Sequence, residues 1–106
     1  MDNDFTDLGF PAYPSLTIPL NITRWDILEI RAVIQTDVKQ DVGRYLSRVY
    51  WVISCGRYVL TKKVKWVQEM SHKTDKFRAK TAFDSFEEAV DFTKQNWAKI
   101  VKPWVD

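Results

Sequence analysis

Residues 45–67 read YLSRVYWVISCGRYVLTKKVKWV. Two runs rich in Val, Tyr, Trp and Ile, Tyr45 to Ser54 and Arg57 to Val67, flank Cys55-Gly56, where glycine supplies the positive φ that a tight hairpin turn needs. The stretch predicts a β-hairpin. With Cys55 and Gly56 as the turn, Ile53 faces Tyr58, Trp51 faces Leu60, Val49 faces Lys62, Ser47 faces Val64 and Tyr45 faces Trp66. Side chains alternate across a strand, so these residues share one largely apolar face. The other face then holds Leu46, Arg48, Tyr50, Val52, Arg57, Val59, Thr61, Lys63 and Lys65. Lys62 falls on the apolar side, where either its stem snorkels to water or a bulge shifts the register.

Working outward toward the C-terminus, a polar loop (Ser71 to Asp75) leads into Phe77 to Phe83, which alternates again. Phe77, Ala79, Thr81 and Phe83 lie on one side and Arg78, Lys80 and Ala82 on the other, predicting a third strand beside the hairpin. Ser85 followed three residues later by Glu88 forms a capping box, and Glu87 and Glu88 suit the positive end of a helix dipole. The helix is expected from about Phe86 to about Lys102, where Pro103 stops it. Phe86, Ala89, Val90, Thr93, Trp97, Ile100 and Val101 recur at helical spacing as one apolar stripe.

Toward the N-terminus, Leu28, Ile30, Ala32 and Ile34 alternate with Glu29, Arg31, Val33 and Gln35. This favours a half-buried strand over residues 27–38, with a helix capped by Thr23 and Asp26 as the alternative. Residues 1–24 carry Pro11, Pro14 and Pro19 among Phe5, Phe10 and Tyr13, the pattern of an extended arm whose end, Leu16 to Ile22, can add an edge strand. The expected molecule is α+β: an arm (1–24) followed by one domain (25–106). In it an antiparallel meander of three to five strands has one face under a C-terminal helix and the other in solvent. From about residue 27 onward this order, β-β-β-β-α, resembles the transcriptional coactivators that bind single-stranded DNA. That resemblance implies dimerisation and nucleic-acid binding on a sheet.

Composition bounds the function. At 106 residues the chain supports one modest core. No apolar run approaches the roughly 18 residues of a membrane span, and the N-terminal Asp2, Asn3, Asp4 and Asp7 are unlike a signal peptide. A cytoplasmic protein with no membrane partner is expected. Asn21-Ile22-Thr23 matches a glycosylation acceptor, which the absence of a secretion signal discounts. The one cysteine, Cys55, has no partner for an internal disulfide, and one histidine, His72, gives no metal-ligand spacing. Cys55 sits in a turn and His72 in a different loop, so no nucleophile and base are brought together by sequence. No phosphate-cradling glycine loop occurs. No cofactor, no metal and no enzymatic activity are expected.

Charge is distributed unevenly. Residues 42–83 carry ten Lys/Arg and two Asp/Glu, whereas residues 1–41 carry three and seven. Arg48, Tyr50, Arg57, Lys63, Lys65, Arg78 and Lys80 are expected on the solvent face of the sheet. Cations there would track phosphates and the tyrosine ring would stack on a base, the composition of a single-strand platform. Trp25 and Trp104 fall outside the predicted elements, and Phe92 lies at the margin of the helix stripe. Exposed aromatics of this kind serve protein interfaces. The alternative function is therefore a small inhibitor or adaptor of a larger cellular machine, of the sort mobile elements encode, docking through Trp25, Phe92, Trp104 and the aromatic arm. The partners implied are nucleic acid or protein, a second copy of the chain included.

Overall fold

A computed structural model of the chain describes residues 13–38 and 45–105, with side-chain detail for 13–35 and 48–105. The arm residues 1–12, and the facing expected of Tyr45, Leu46 and Ser47, lie outside the described residues and side chains. Five strands, β1 (Leu16–Asn21), β2 (Asp26–Val38), β3 (Tyr45–Cys55), β4 (Tyr58–Leu60) and β5 (Trp66–Gln68), form an antiparallel meander in chain order. Helices α1 (Asp75–Thr81), α2 (Phe86–Gln95) and α3 (Trp97–Val101) follow. The α+β meander under a C-terminal helix matches the sequence reading, and residues 26–38 are strand.

The frame of the sheet is the long β2–β3 ladder, which runs from Leu28 opposite Cys55 to Val38 opposite Tyr45. Leu28, Ile30 and Ile53 are fully buried on one face, together with Leu60, Phe83, Ala89 and Ile100. Phe86, Val90, Phe92 and Val101 close over this core from the helices. β1 is an edge strand, the position in a sheet where a proline such as Pro19 is tolerated.

The secondary-structure elements differ from expectation in four places. The first is the hairpin, which turns at Gly56-Arg57, with Cys55 opposite Tyr58 and Ser54 opposite Val59. Gly56 has φ +59° and occupies the first turn position, where the expected turn put it second. The slip is by two residues in pairing, so Tyr58, Val59 and Leu60 keep the faces expected of them.

The second correction concerns residues 57–67, which are not one strand: β4 ends at Leu60, and Thr61–Lys65 form a turn before β5. Trp51, expected opposite Leu60, pairs instead with Phe83 through two backbone hydrogen bonds of 2.8 Å.

Third, the expected strand 77–83 is helix α1 up to Thr81, and only Phe83 keeps its place beside the hairpin. Phe77 and Thr81 are four apart, a spacing that puts them on one face of a strand and equally on one face of a helix. Thr74 resolves the ambiguity, because its hydroxyl accepts the Phe77 N–H at 3.1 Å and starts a helix. From β2 onward four strands are still followed by helix, but the fourth strand is β5 and not residues 77–83.

The last correction is to the C-terminal helix. The Ser85 cap forms as expected, its hydroxyl accepting the Glu88 N–H at 3.1 Å. The helix nevertheless breaks at Asn96, whose backbone N–H and side-chain amide both turn back to the Phe92 carbonyl. Trp97, expected in the core, is exposed as a result, while Ile100 stays buried.

Candidate nucleic-acid interface

The face expected to lie in solvent is covered. Arg31, Tyr50, Val52 and Val59 belong to it by register, and Tyr50 (4% exposed), Val52 and Val59 are buried. Segment 61–82 folds back over them. One tether is the Lys62 N–H, which donates to the Lys80 carbonyl at 2.8 Å and binds the 61–65 turn to α1. A second is Glu69, whose two carboxylate oxygens each accept from the Arg31 guanidinium at 2.8 Å. Arg31 also donates to the Ser54 hydroxyl at 3.2 Å, and Lys73 lies 3.3 Å from Glu69. Burial pushes the Glu69 carboxyl up, but hydrogen bonds and charge from Arg31 and Lys73 outweigh it and hold the group below its ordinary value.

The 61–65 turn is built around Thr61. Its N–H donates to the Lys65 carbonyl (2.8 Å), its carbonyl accepts from the Val64 N–H (2.9 Å) and its hydroxyl accepts from the Lys65 N–H (3.2 Å). Val64 adopts φ +59°, a left-handed conformation in which a β-branched residue is strained. What holds it there is the packing of its side chain against the core. With Val64 turned inward, Lys62, Lys63 and Lys65 are exposed.

Between this turn and α1 lies a cleft of ≈ 640 Å³. Val67, Met70, Phe77 and Ala79 form apolar parts of its lining, and Lys62, Lys63, Lys65 and Lys80 surround them. No carboxylate is among the lining residues. Lys62 also reaches over the Phe83 ring, 5.4 Å from its centroid, a cation–π contact. A neighbouring cleft of ≈ 260 Å³ shares Lys62 and takes in Arg48, Tyr50 and Arg78, but with Asp75 and Asp84 its charge is mixed.

The seven residues singled out as a basic aromatic face are thus dispersed. Lys63, Lys65 and Lys80 meet at the larger cleft, and Arg48 is exposed beside the smaller one. Tyr50 is not available for stacking, and burial raises its phenol above the ordinary value, partly offset by Arg78 and Arg31. Arg78 is paired with Asp75 and donates to the Lys73 carbonyl. Arg57 is an exposed turn residue in a third cleft, with Arg31, Glu69 and Lys73. Sequence reasoning missed Lys62, placed on the apolar side, and the cleft walls Met70 and Phe77. The signal for Lys62 was present: three lysines within Lys62-Lys63-Val64-Lys65 do not alternate as a strand does.

Of the three aromatics assigned to protein docking, Trp25 is 76% exposed, in the β1–β2 turn beside Ile22, which is 74% exposed. Trp104 packs edge-on to Trp66 (5.3 Å between centroids) and near Tyr58 (5.9 Å), and its carbonyl accepts from Arg24. Phe92 is half-buried against Phe83, 5.2 Å away. Trp25 and Trp104 are thereby brought to one end of the sheet, and Phe92 is built into the packing over the core. Cys55 is buried and its thiol is pushed up to about 11 by burial, while His72 is exposed in the 71–74 segment. Among the described residues no group of His, Cys, Asp and Glu is placed to hold a metal ion, and no helix is long and apolar enough to cross a membrane. No family model matches the chain, and neither a characterised protein nor a solved structure shows significant similarity to it.

Proposed function

We propose that the chain is a non-enzymatic binding module that holds single-stranded nucleic acid by its backbone. Lys62, Lys63, Lys65 and Lys80 make the contacts. The observation that carries this reading is the gathering of four lysines around one cleft without a carboxylate in its lining. Ordinary surfaces intersperse both signs, as the neighbouring cleft with Asp75 and Asp84 does. Ammonium groups so placed neutralise phosphates and release counterions, so binding weakens with salt. For a single strand the logarithm of affinity falls with that of salt by about 0.7 per contact, so four contacts correspond to a slope of about −3. The test is titration of fluorescent oligonucleotides at several salt concentrations. Replacing Lys63 and Lys65 by Ala is expected to lower affinity and bring the slope to about −1.5. Binding that does not respond to salt, or no binding at low salt, would sink the reading.

A second reading is favoured by Trp25 and Ile22, two large apolar side chains exposed in one turn. They suit a protein partner, with Trp25 as an anchor. Under that reading Trp25→Ala abolishes partner capture while the lysine substitutions leave it intact.

A further inference from the structure

Phosphate contacts alone require no cavity; lysines on a flat surface suffice. Here the lysines surround a cleft with apolar walls, and its ≈ 640 Å³ lies within the roughly 300–1,000 Å³ of pockets that enclose small ligands. Met70 is exposed and Phe77 and Val67 are only half-buried, so apolar surface is left accessible in a cleft that four lysines surround. One lip is the 61–65 turn, held in a strained conformation at Val64, and the other is α1, tied to it through the Lys62–Lys80 backbone bond. Backbone strain retained beside a cleft is characteristic of binding sites, because the surrounding packing must maintain it.

Building on the nucleic-acid reading, we infer that the cleft is a base pocket: one unpaired base of a single strand enters between the turn and α1. Its ring lies against Phe77 and Met70, while Lys63 and Lys65 on one lip and Lys80 on the other hold the flanking phosphates. The occupant must be anionic outside and flat and apolar inside. A nucleotide in a single strand satisfies both demands, and charge complementarity selects it over a neutral apolar ligand. A duplex keeps its bases stacked and paired, so it presents only phosphates to the rim. The pocket therefore accounts for strand preference without the exposed aromatic sheet that Tyr50 was expected to supply.

Two measurements test this. Phe77→Leu keeps an apolar wall but removes the aromatic face. It is expected to lower affinity for a thymidine oligonucleotide about tenfold, leave duplex affinity and the salt slope unchanged, and retain the wild-type circular dichroism spectrum. Independently of any variant, an oligonucleotide of the same length made of abasic sugar-phosphate units should bind the wild-type protein no better than duplex does. If the abasic chain binds as tightly as the base-bearing one, with the same salt slope, the base pocket is wrong and backbone binding stands. Absence of binding by every oligonucleotide at low salt would remove both. Displacement of the oligonucleotide by a poly-glutamate peptide at equal charge concentration would also overturn the pocket, since it would mark the cleft as a site for acidic chains in general.

Discussion

Trp66 and Trp104 meet ring to edge, yet their indole N–H groups have different surroundings. Trp66 donates to the Ile100 carbonyl at 3.0 Å. That carbonyl is in the last turn of α3, where no further helical N–H exists to bond it, so the indole serves as a cap contributed from β5. The Trp104 N–H is buried without an acceptor among the described residues. The two substitutions should therefore differ although the chemistry removed is the same. Trp66→Phe is expected to cost ~2–3 kcal/mol, from a buried carbonyl left unpaired and a smaller ring. Trp104→Phe should stay within ~1 kcal/mol of wild type, because removing an unpaired donor offsets the lost contact. Urea denaturation midpoints at equal m-value would measure both, and equal losses would refute the distinction.

Among the elements, the 61–82 segment departs furthest from expectation, and its attachment to the sheet is partly ionic. Arg31 of β2 holds Glu69 beyond the end of β5, with Ser54 and Lys73 completing the network. Because the folded carboxyl is held below its ordinary value of 4.5, the native state binds fewer protons than the unfolded chain near that pH. Its contribution is fully present above about 4.5 and is lost as pH falls through the lower folded value. Glu69→Gln is expected to lower stability at pH 7 by ~1–2 kcal/mol. It should also flatten the acid limb of the stability curve relative to wild type. Thermal unfolding from pH 3 to 7 would check this, and parallel curves would show that Glu69 is not the linked group. The same segment explains why α1 escaped the sequence reading: its residues satisfy a period of two as well as of four, and the deciding contact is a single Thr74 cap.

For the molecule as a whole, covering both faces of the central sheet changes what its side chains can do. The outward Tyr50 becomes an interior group, and the thiol of Cys55, 1% exposed and pushed up to about 11, is shielded from reagents. At pH 8 a thiol reagent is expected to label Cys55 only as fast as the fold opens, with full reaction in denaturant. Labelling of the folded protein at the rate of a free thiol would show that this part of the sheet is more open than its burial implies. The covering also redistributes charge: Arg78 is paired with Asp75 and Lys73 with Glu69, leaving the lysines of the 61–65 turn and Lys80 to define the cationic cleft.

Much of this was present in the linear order of residues. The alternation at residues 27–38 and 45–54, the glycine that demands a turn, the Pro19 that restricts β1 to an edge and the Ser85 cap are local features. Local φ/ψ preferences and side-chain period suffice to read them. The basic excess of residues 42–83 was equally visible, but not where it would gather. That depended on contacts between residues far apart in sequence: Arg31 with Glu69, Lys62 with Lys80, Trp51 with Phe83. Such pairings decide which face of a strand meets solvent, and no window of sequence contains both partners. The sequence alone therefore determined that the chain forms an antiparallel meander reversing around Gly56 and that Ser85 caps a helix. Tertiary structure decided that the second face is covered and that the lysines meet at an apolar cleft, because covering a face is a long-range packing event and not a property of the strand that is covered.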